Sequence, residues 1–429
     1  MNIAVIGTGY VGLSTGVGFA SRGNDVICVD IDRKKVDQVN NGVSPVYEPL
    51  LGEYLERALK EGKLRATDNL HEAIRKSEII FVSVGTPSKD DGSIDLKYIE
   101  DVSRGIGRSL ANKGYKLIVF KSTILPETTE KVAIPLLERY SGKKAGKGFG
   151  VCMNPEFLRE GKAMEDFLNP DRIVIGGLDR KSGDMLEKLY RNFDSKILRT
   201  DLKTAEMIKY ASNAFLATKI SFSNEMGNVC KRLGIDVYDV MKGVGLDKRI
   251  SPHFLRAGAG YGGSCFPKDV DALISKARSL RYDPKLLEEV QSLNRRQKVE
   301  IVGRLERKIG NLKDKEICVL GLAFKPGTDD VRGASSVEIL GRLKEKGARI
   351  RAYDPKAMEN ARNLFPDIDY PESVKSALKG SDACLILTEW DEFRKLEDKD
   401  FKTMRKKVII EGRKVLDTSK VTGFEGICW

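Results

Sequence analysis

Histidine is nearly missing from this 429-residue chain, with only His71 and His253 present. Many enzymes that oxidise alcohols use a histidine base, so chemistry of that kind would have to rest on other groups here. The seven cysteines (Cys28, Cys152, Cys230, Cys265, Cys318, Cys384 and Cys428) are odd in number and scattered, with no C-x-x-C pair. That speaks against a disulfide framework and against a zinc site, so no metal is expected. Cys28, Cys318 and Cys384 sit in apolar, strand-like runs and read as small buried residues. Only Cys265 has a different setting. Also missing is any apolar run near the roughly 18 residues of a membrane span. The opening MNIAVIGTGYVG has no basic n-region, apolar h-region or cleavage site. A cytoplasmic location with no membrane partner is the expectation.

The length exceeds one ordinary domain, so two or three are expected. Hydrophobic residues make up 41%, enough for real cores, and the 32% charged share suits a soluble surface. Lys plus Arg number 74 against 62 Asp plus Glu. The excess is spread along the chain, without a long basic tract or interleaved aromatics, so nucleic acid is not the expected partner. A site for anionic small molecules such as dinucleotides would benefit from it. A charge-rich solvated surface explains it equally well.

Asn2 to Ile6 reads as a short strand, followed by G-T-G-Y-V-G and a small-residue helix to about Ser21. Asp25 to Val29 is a second strand ending at Asp30, and Ile79 to Val84 and Lys116 to Phe120 are further buried strands. This βαβ alternation implies a parallel, doubly wound sheet. Leu202 to Leu233 then runs for about eight turns without proline, and helical patterning continues to about Gly303, broken by the glycine-rich 257–264. Strands return at Glu316–Leu320, Arg349–Tyr353, Ala383–Thr388 and Lys407–Ile410, with a helix over Ser335–Lys346. IAVIG against ICVLG and VICVD against IRAYD form a loose internal repeat. The expected fold is α/β: two Rossmann-like parallel-sheet domains, 1–200 and 304–429, joined by a helical domain, 201–303, with one long helix.

Gly7, Gly9 and Gly12 stand between strand and helix, where a tight turn, close approach to a pyrophosphate and close helix packing require them. Asp30, about twenty residues on, suits the adenosine ribose hydroxyls and repels a 2′-phosphate, favouring NAD over NADP. Arg33, Lys34 and Lys35 weaken that preference. The second lobe has Gly321-Leu-Ala-Phe-Lys325 in the matching place; Lys325 and Arg332 suit phosphates but are equally plain surface cations. In Gly260-Tyr-Gly-Gly-Ser-Cys-Phe-Pro-Lys-Asp269, Cys265 precedes a helix starting around Pro267. Positive potential there lowers a thiol pKa from about 8.5 towards neutrality and makes a nucleophile. Asp269 lies one turn further on the same face. Lys209 and Asn213, and likewise Glu156 and Glu160, form i,i+4 pairs read as sharing a helix face.

With GTGYVG, YEPLL, VGTPS, KSTILP, NPEFLREG, EMIKYASNAF, GYGGSCFPKD, LAFKPGTDDVR and EGRKVLD, the chain resembles, over essentially its whole length, a known family. These are the UDP-glucose 6-dehydrogenases and their GDP-mannose and UDP-N-acetylhexosamine relatives. The resemblance implies an enzyme that oxidises the C6 alcohol of UDP-glucose, or alternatively of GDP-mannose or a UDP-N-acetylhexosamine, to the acid, using two NAD per sugar. Cys265 would form a thiohemiacetal and then a thioester. Lys209 and Asn213 would stabilise the oxyanions, Asp269 would position water and Lys209, and Thr123 and Glu156 would hold the water. Which group takes the first proton stays open. Gly7, Gly9, Tyr10, Val11, Gly12, Asp30, Lys35, Thr86, Thr123, Glu160, Cys265 and Arg332 would contact NAD. Glu156, Phe157, Leu158, Lys209, Asn213, Arg249, Phe254, Tyr261, Gly262, Lys325 and Arg413 would meet the nucleotide sugar. Arg249 would reach a neighbouring subunit's site, making the active form a homodimer built on the central helix. Tyr261 replaces the phenylalanine usual in UDP-glucose enzymes, so its hydroxyl bears on sugar choice. A two-electron β-hydroxyacid dehydrogenase would leave Cys265 and the second lobe unexplained, and a non-catalytic NAD sensor would leave the catalytic groups unexplained.

Overall fold

The computed structural model of the protein describes residues 1–110 and 114–429. They form two compact units, Met1–Ser212 and Asn213–Trp429.

In the first unit, strands and helices alternate: β1 (Asn2–Ile6), α1 (Tyr10–Ser21), β2 (Asp25–Val29), α2 (Arg33–Asn40), α3 (Leu51–Lys60), β3 (Leu64–Thr67), α4 (Leu70–Lys76) and β4 (Ile79–Val82). There follow α5 (Lys97–Ser109), β5 (Leu117–Phe120), α6 (Ile134–Ser141), β6 (Gly150–Met153), α7 (Ala163–Leu168), β7 (Arg172–Gly177), α8 (Arg180–Tyr190), β8 (Lys196–Thr200) and α9 (Leu202–Leu233). The sheet order is β3-β2-β1-β4-β5-β6-β7-β8. Its first six strands are parallel, while β7 turns antiparallel to β6. Strands β4, β5 and β6 are buried along their whole length, as expected for a sheet covered by helices on both faces. One apolar cluster packs Phe19, Phe81 and Phe167 on one face; the other packs Ile80, Ile118 and Phe149. The order reverses between β1 and β4, and that is where such a sheet opens a crevice.

The second unit, which begins within α9, contains α10 (Val237–Gly245), α11 (Phe266–Ser279), α12 (Lys285–Ile309), β9 (Glu316–Leu320), α13 (Ser335–Glu345) and β10 (Arg349–Tyr353). It closes with α14 (Met358–Leu364), α15 (Val374–Leu378), β11 (Ala383–Ile386), α16 (Asp391–Arg394), β12 (Ile409–Glu411) and β13 (Phe424–Gly426). Its sheet, β10-β9-β11-β12-β13, is parallel throughout. Among the described residues no helix is long and apolar enough to cross a membrane.

The internal repeat survives as geometry. Gly7 and Gly321 both take φ +96°, and a Cβ at either would lie within 2.6 Å of the next crossover strand's loop, at Ser83 and at Thr388. Asp30 accepts from the Thr8 backbone at 2.9 Å. Asp354, its counterpart, is fully buried and accepts from five donors: the backbones of Leu322, Ala323, Lys356 and Ala357, and the Trp390 indole.

One local expectation fails. Residues 154–160 form no helix, so Glu156 and Glu160 do not share a helix face. Pro155 cannot supply a helical N–H. The Glu156 carboxylate instead closes on the Leu158 backbone at 2.6 Å, and Glu48 takes the Gly161 and Ala163 amides at the start of α7.

Candidate active site

The glycine turn after β1 is built around close contacts. A Cβ on Gly12 would stand 1.9 Å from the Gly7 carbonyl oxygen, so helix and strand meet there only without a side chain. A Cβ on Gly9 would meet nothing within 4 Å. Gly9 caps α1 with its backbone extended, so open space faces the helix N-terminus, where a phosphate anion is favoured. Tyr10 and Val11 follow in the first turn, both half-buried. Asp30 ends β2 at the rim of the turn. Burial works against its charge, but hydrogen bonds from the Thr8 hydroxyl and the Asp32 and Thr8 backbones, with Lys35 nearby, hold its carboxyl below the usual range. It is therefore an ionised acceptor. Thr86, after β4, donates to the Thr123 carbonyl at 3.0 Å, which joins two residues expected at the cofactor. Glu160, half-buried, sits in the turn before α7.

A second cluster lies at the ends of β5 and β6. Lys209, on α9, pairs with Glu156 at 2.9 Å, and both side chains are 6% exposed. Phe157 follows; its ring lies under the Arg172 guanidinium at 3.8 Å, with the Lys209 ammonium at 5.5 Å. Leu158 packs on the core. Lys121, which sequence reasoning passed over, is buried here too and donates to Asn154 Oδ1 at 3.1 Å. Burial pushes its ammonium down to about 8, opposed by the Glu156 charge and assisted by Lys209. The signal available in the sequence was a lysine directly following an uninterrupted apolar strand.

Cys265, in the second unit, is exposed, whereas the chain's other six cysteines are buried. It caps α11, whose first turn contains Pro267. The Asp269 amide donates to the Cys265 carbonyl at 2.8 Å, the helical i,i+4 bond that places acid and thiol one turn apart. Asp269 is 1% exposed and accepts from Asn213 Nδ2 at 2.7 Å and from Lys268 at 2.6 Å. Lys268 was also missed: beside two stronger candidates it reads as one more surface lysine.

The remaining residues fall around the glycine-rich loop and β9. The Tyr261 hydroxyl is buried and donates to Gln291 Oε1 at 2.8 Å, so it is occupied within the protein. A Cβ on Gly262 would strike the Gly333 carbonyl at 2.3 Å. Phe254, in left-handed backbone at φ +65°, stacks its ring 6.1 Å from that of Phe266. Arg413 donates to the Gly260 carbonyl at 2.5 Å and ties β12's following loop to the glycine stretch. Lys325 lies over the Phe324 ring at 5.3 Å, and Arg332 pairs with Asp330 at 2.7 Å. Arg249 extends outward, its side chain 89% exposed, paired with Asp247 at 2.6 Å.

Comparison with known proteins agrees with this geometry. Models of the UDP-glucose/GDP-mannose dehydrogenase family match in order: its NAD binding domain at residues 1–194, its central domain at 203–296 and its UDP binding domain at 318–418. UDP-glucose 6-dehydrogenase TuaD of Bacillus subtilis is 46% identical, across 98% of this chain and 90% of its own. UDP-glucose 6-dehydrogenase AglM of Haloferax volcanii is 43% identical across the full length of both. The solved UDP-glucose dehydrogenase of Pyrobaculum islandicum superposes with a TM-score of 0.95 at 42% identity, covering 100% of this chain and 97% of that one. A chain that opens a glycine cradle at the right switch point, and matches all three family models in sequence, belongs to the UDP-glucose/GDP-mannose dehydrogenase family and is an NAD-dependent oxidoreductase.

Proposed function

We propose that this enzyme oxidises the C6 alcohol of UDP-glucose to the carboxylate of UDP-glucuronate, consuming two NAD per sugar. The observation that carries the reading is Cys265: an exposed thiol capping α11 directly after a glycine-rich loop. The names of the full-length relatives support the substrate. The open space at Gly9 fits a dinucleotide phosphate. When bound, NAD supplies the hydride acceptor for each oxidation.

The second oxidation starts from an aldehyde, which has no alkoxide to expel hydride. Addition of the Cys265 sulfur to that carbon forms the S–C bond and moves the carbonyl pair onto oxygen, giving a thiohemiacetal. Loss of hydride leaves a thioester, and water then displaces the sulfur. The α11 N-terminus favours negative charge on sulfur. Lys209 and Asn213 supply the cation and the amide donor for the oxyanions. Asp269 orients Asn213 through their 2.7 Å bond. Thr123 and Glu156 hold the water, with Glu156 as base.

Residues 1–200 serve as the NAD domain, 201–303 as the central helical domain and 304–429 as the nucleotide-sugar domain. In the last, Lys325 and Arg413 meet the nucleotide sugar, and Arg332 contacts NAD. The active form is a homodimer, supported by Phe215, Phe222 and Val229. These recur every seven residues along α9 and stay exposed, an apolar stripe suited to a second copy. A cytoplasmic setting suits an enzyme fed by NAD and a nucleotide sugar.

The test is NADH counted per sugar with UDP-glucose, GDP-mannose and UDP-N-acetylhexosamines, in wild type and Cys265→Ala. Two NADH per UDP-glucose, and no acid from the variant although it binds NAD, are expected. One NADH per sugar, or normal turnover by Cys265→Ala, refutes the mechanism. Preference for another sugar refutes the substrate.

A further inference from the structure

Two amines and one carboxylate share a dry corner of the first unit. Lys121 is 5% exposed, Glu156 6% and Lys209 5%. Glu156 is committed through both oxygens, one to Lys209 and one to the Leu158 amide. Lys121 is not so well served. An ammonium carries three N–H donors, yet among the described residues Lys121 has one acceptor, Asn154 Oδ1. That oxygen also accepts from the Tyr190 hydroxyl at 2.7 Å, and the Asn154 amide nitrogen is taken by the Val174 carbonyl. Tyr190, facing the corner from α8, has its phenol pushed far up by burial and stays neutral. Among the described residues, the charged groups that act on Lys121 are Glu156, after β6, and Lys209, on α9.

We propose that Lys121 is a positioning residue for the oxidation: by holding or releasing its proton, it sets the charge environment of the Glu156–Lys209 pair. The inference rests on the roles given to those two residues above. With both lysines protonated, the corner carries a net charge of +1 in low dielectric. That surplus positive charge bears on the Glu156–Lys209 pair, whose two side chains are buried beside it. With Lys121 neutral, one ammonium faces one carboxylate, and the pair is left electrically balanced for the work proposed for it above. Burial brings the Lys121 ammonium down to about 8, so both of its charge states are reached within an ordinary assay range.

The experiment records kcat against pH from about 6 to about 9.5, from NADH release with saturating UDP-glucose and NAD. A group titrating near 8 is roughly one-tenth deprotonated at pH 7, so wild-type kcat should rise about tenfold from there to its plateau. Lys121→Met removes the ammonium while Asn154 Oδ1 keeps its bond from Tyr190. Its profile should be flat over that rise, with KM for the sugar within about twofold of wild type. Asn154→Asp sets a carboxylate against the ammonium and should move the midpoint upward by about one unit or more. A lysine with a purely structural role would change the melting temperature or KM and leave the midpoint in place. A wild-type profile without the rise, a folded Lys121→Met that keeps it, or an Asn154→Asp midpoint that does not move overturns the inference. If Lys121→Met fails to fold, Asn154→Asp decides alone. Wild type that releases no NADH from UDP-glucose refutes the proposed function in the first arm. Wild-type turnover with unmoved variants refutes only the role of Lys121.

Discussion

Two glycines three residues apart, Gly9 and Gly12, should fail in opposite ways when changed to alanine. At Gly12 the new methyl would sit 1.9 Å from the Gly7 carbonyl oxygen and 2.9 Å from its carbon, and neither is a side chain that can swing away. The turn or α1 must move as a body. Overpacking costs about 1–3 kcal/mol, and a backbone obstacle places this case near about 3. At roughly 2–4 °C per kcal/mol for a unit of this size, the melting temperature should fall by about 6–12 °C. NAD affinity would fall with it. At Gly9 the methyl meets nothing within 4 Å, and the backbone φ of −74° suits alanine. Stability should therefore hold within about 1 °C. The same methyl stands where a pyrophosphate must approach the backbone, so NAD binding should weaken at least about tenfold, or about 1.4 kcal/mol. Thermal melts alongside calorimetric NAD titrations separate the two. Gly9→Ala with wild-type affinity would refute the assignment of the open space to the dinucleotide. Gly12→Ala melting like wild type would refute the packing argument.

Asp30→Ala should raise KM for NAD roughly ten- to a hundredfold, as expected for hydrogen bonds to a charged group worth about 1.5–3 kcal/mol. It should also narrow the preference over NADP, and unchanged kinetics with both cofactors would remove Asp30 from the ribose. Glu206 is buried on α9 and accepts from Thr129 and the Glu127 backbone; burial pushes its carboxyl from 4.5 up to about 7. A raised carboxyl lends stability below its unfolded value and loses it as pH climbs through the folded one. The wild type should therefore lose stability between pH 4.5 and about 7, and Glu206→Gln should flatten part of that slope. Glu411, also raised to about 7, keeps the rest. Superimposable melting curves would contradict the titration. Phe222→Glu should convert dimer to monomer in sedimentation; an unchanged mass would move the interface away from this stripe.

The sequence discloses the βαβ rhythm because buried parallel strands are continuous apolar runs: IAVI, VICV and LIVF sit where their patterning puts them. The long helix from Leu202 to Leu233 is equally plain, uninterrupted by proline. Cys265 stands out because glycines surround it. Tertiary pairings are not written in periodicity. The spacing of Glu156 and Glu160 mimics a helix, yet Glu48, more than a hundred residues earlier, helps decide the path of that segment. Lys121 gains meaning only from a partner that folding brings to it, Asn154, and Lys268 from the tie of its neighbour Asp269 to the distant Asn213.

Asp30 and Asp354 end corresponding strands of the two sheets, yet they have become different things. A carboxylate with room for another donor can exchange partners with a visitor; one already bound by five neighbours is a rivet. An acid at a strand's end therefore marks a ribose contact only where its oxygens still have capacity to spare.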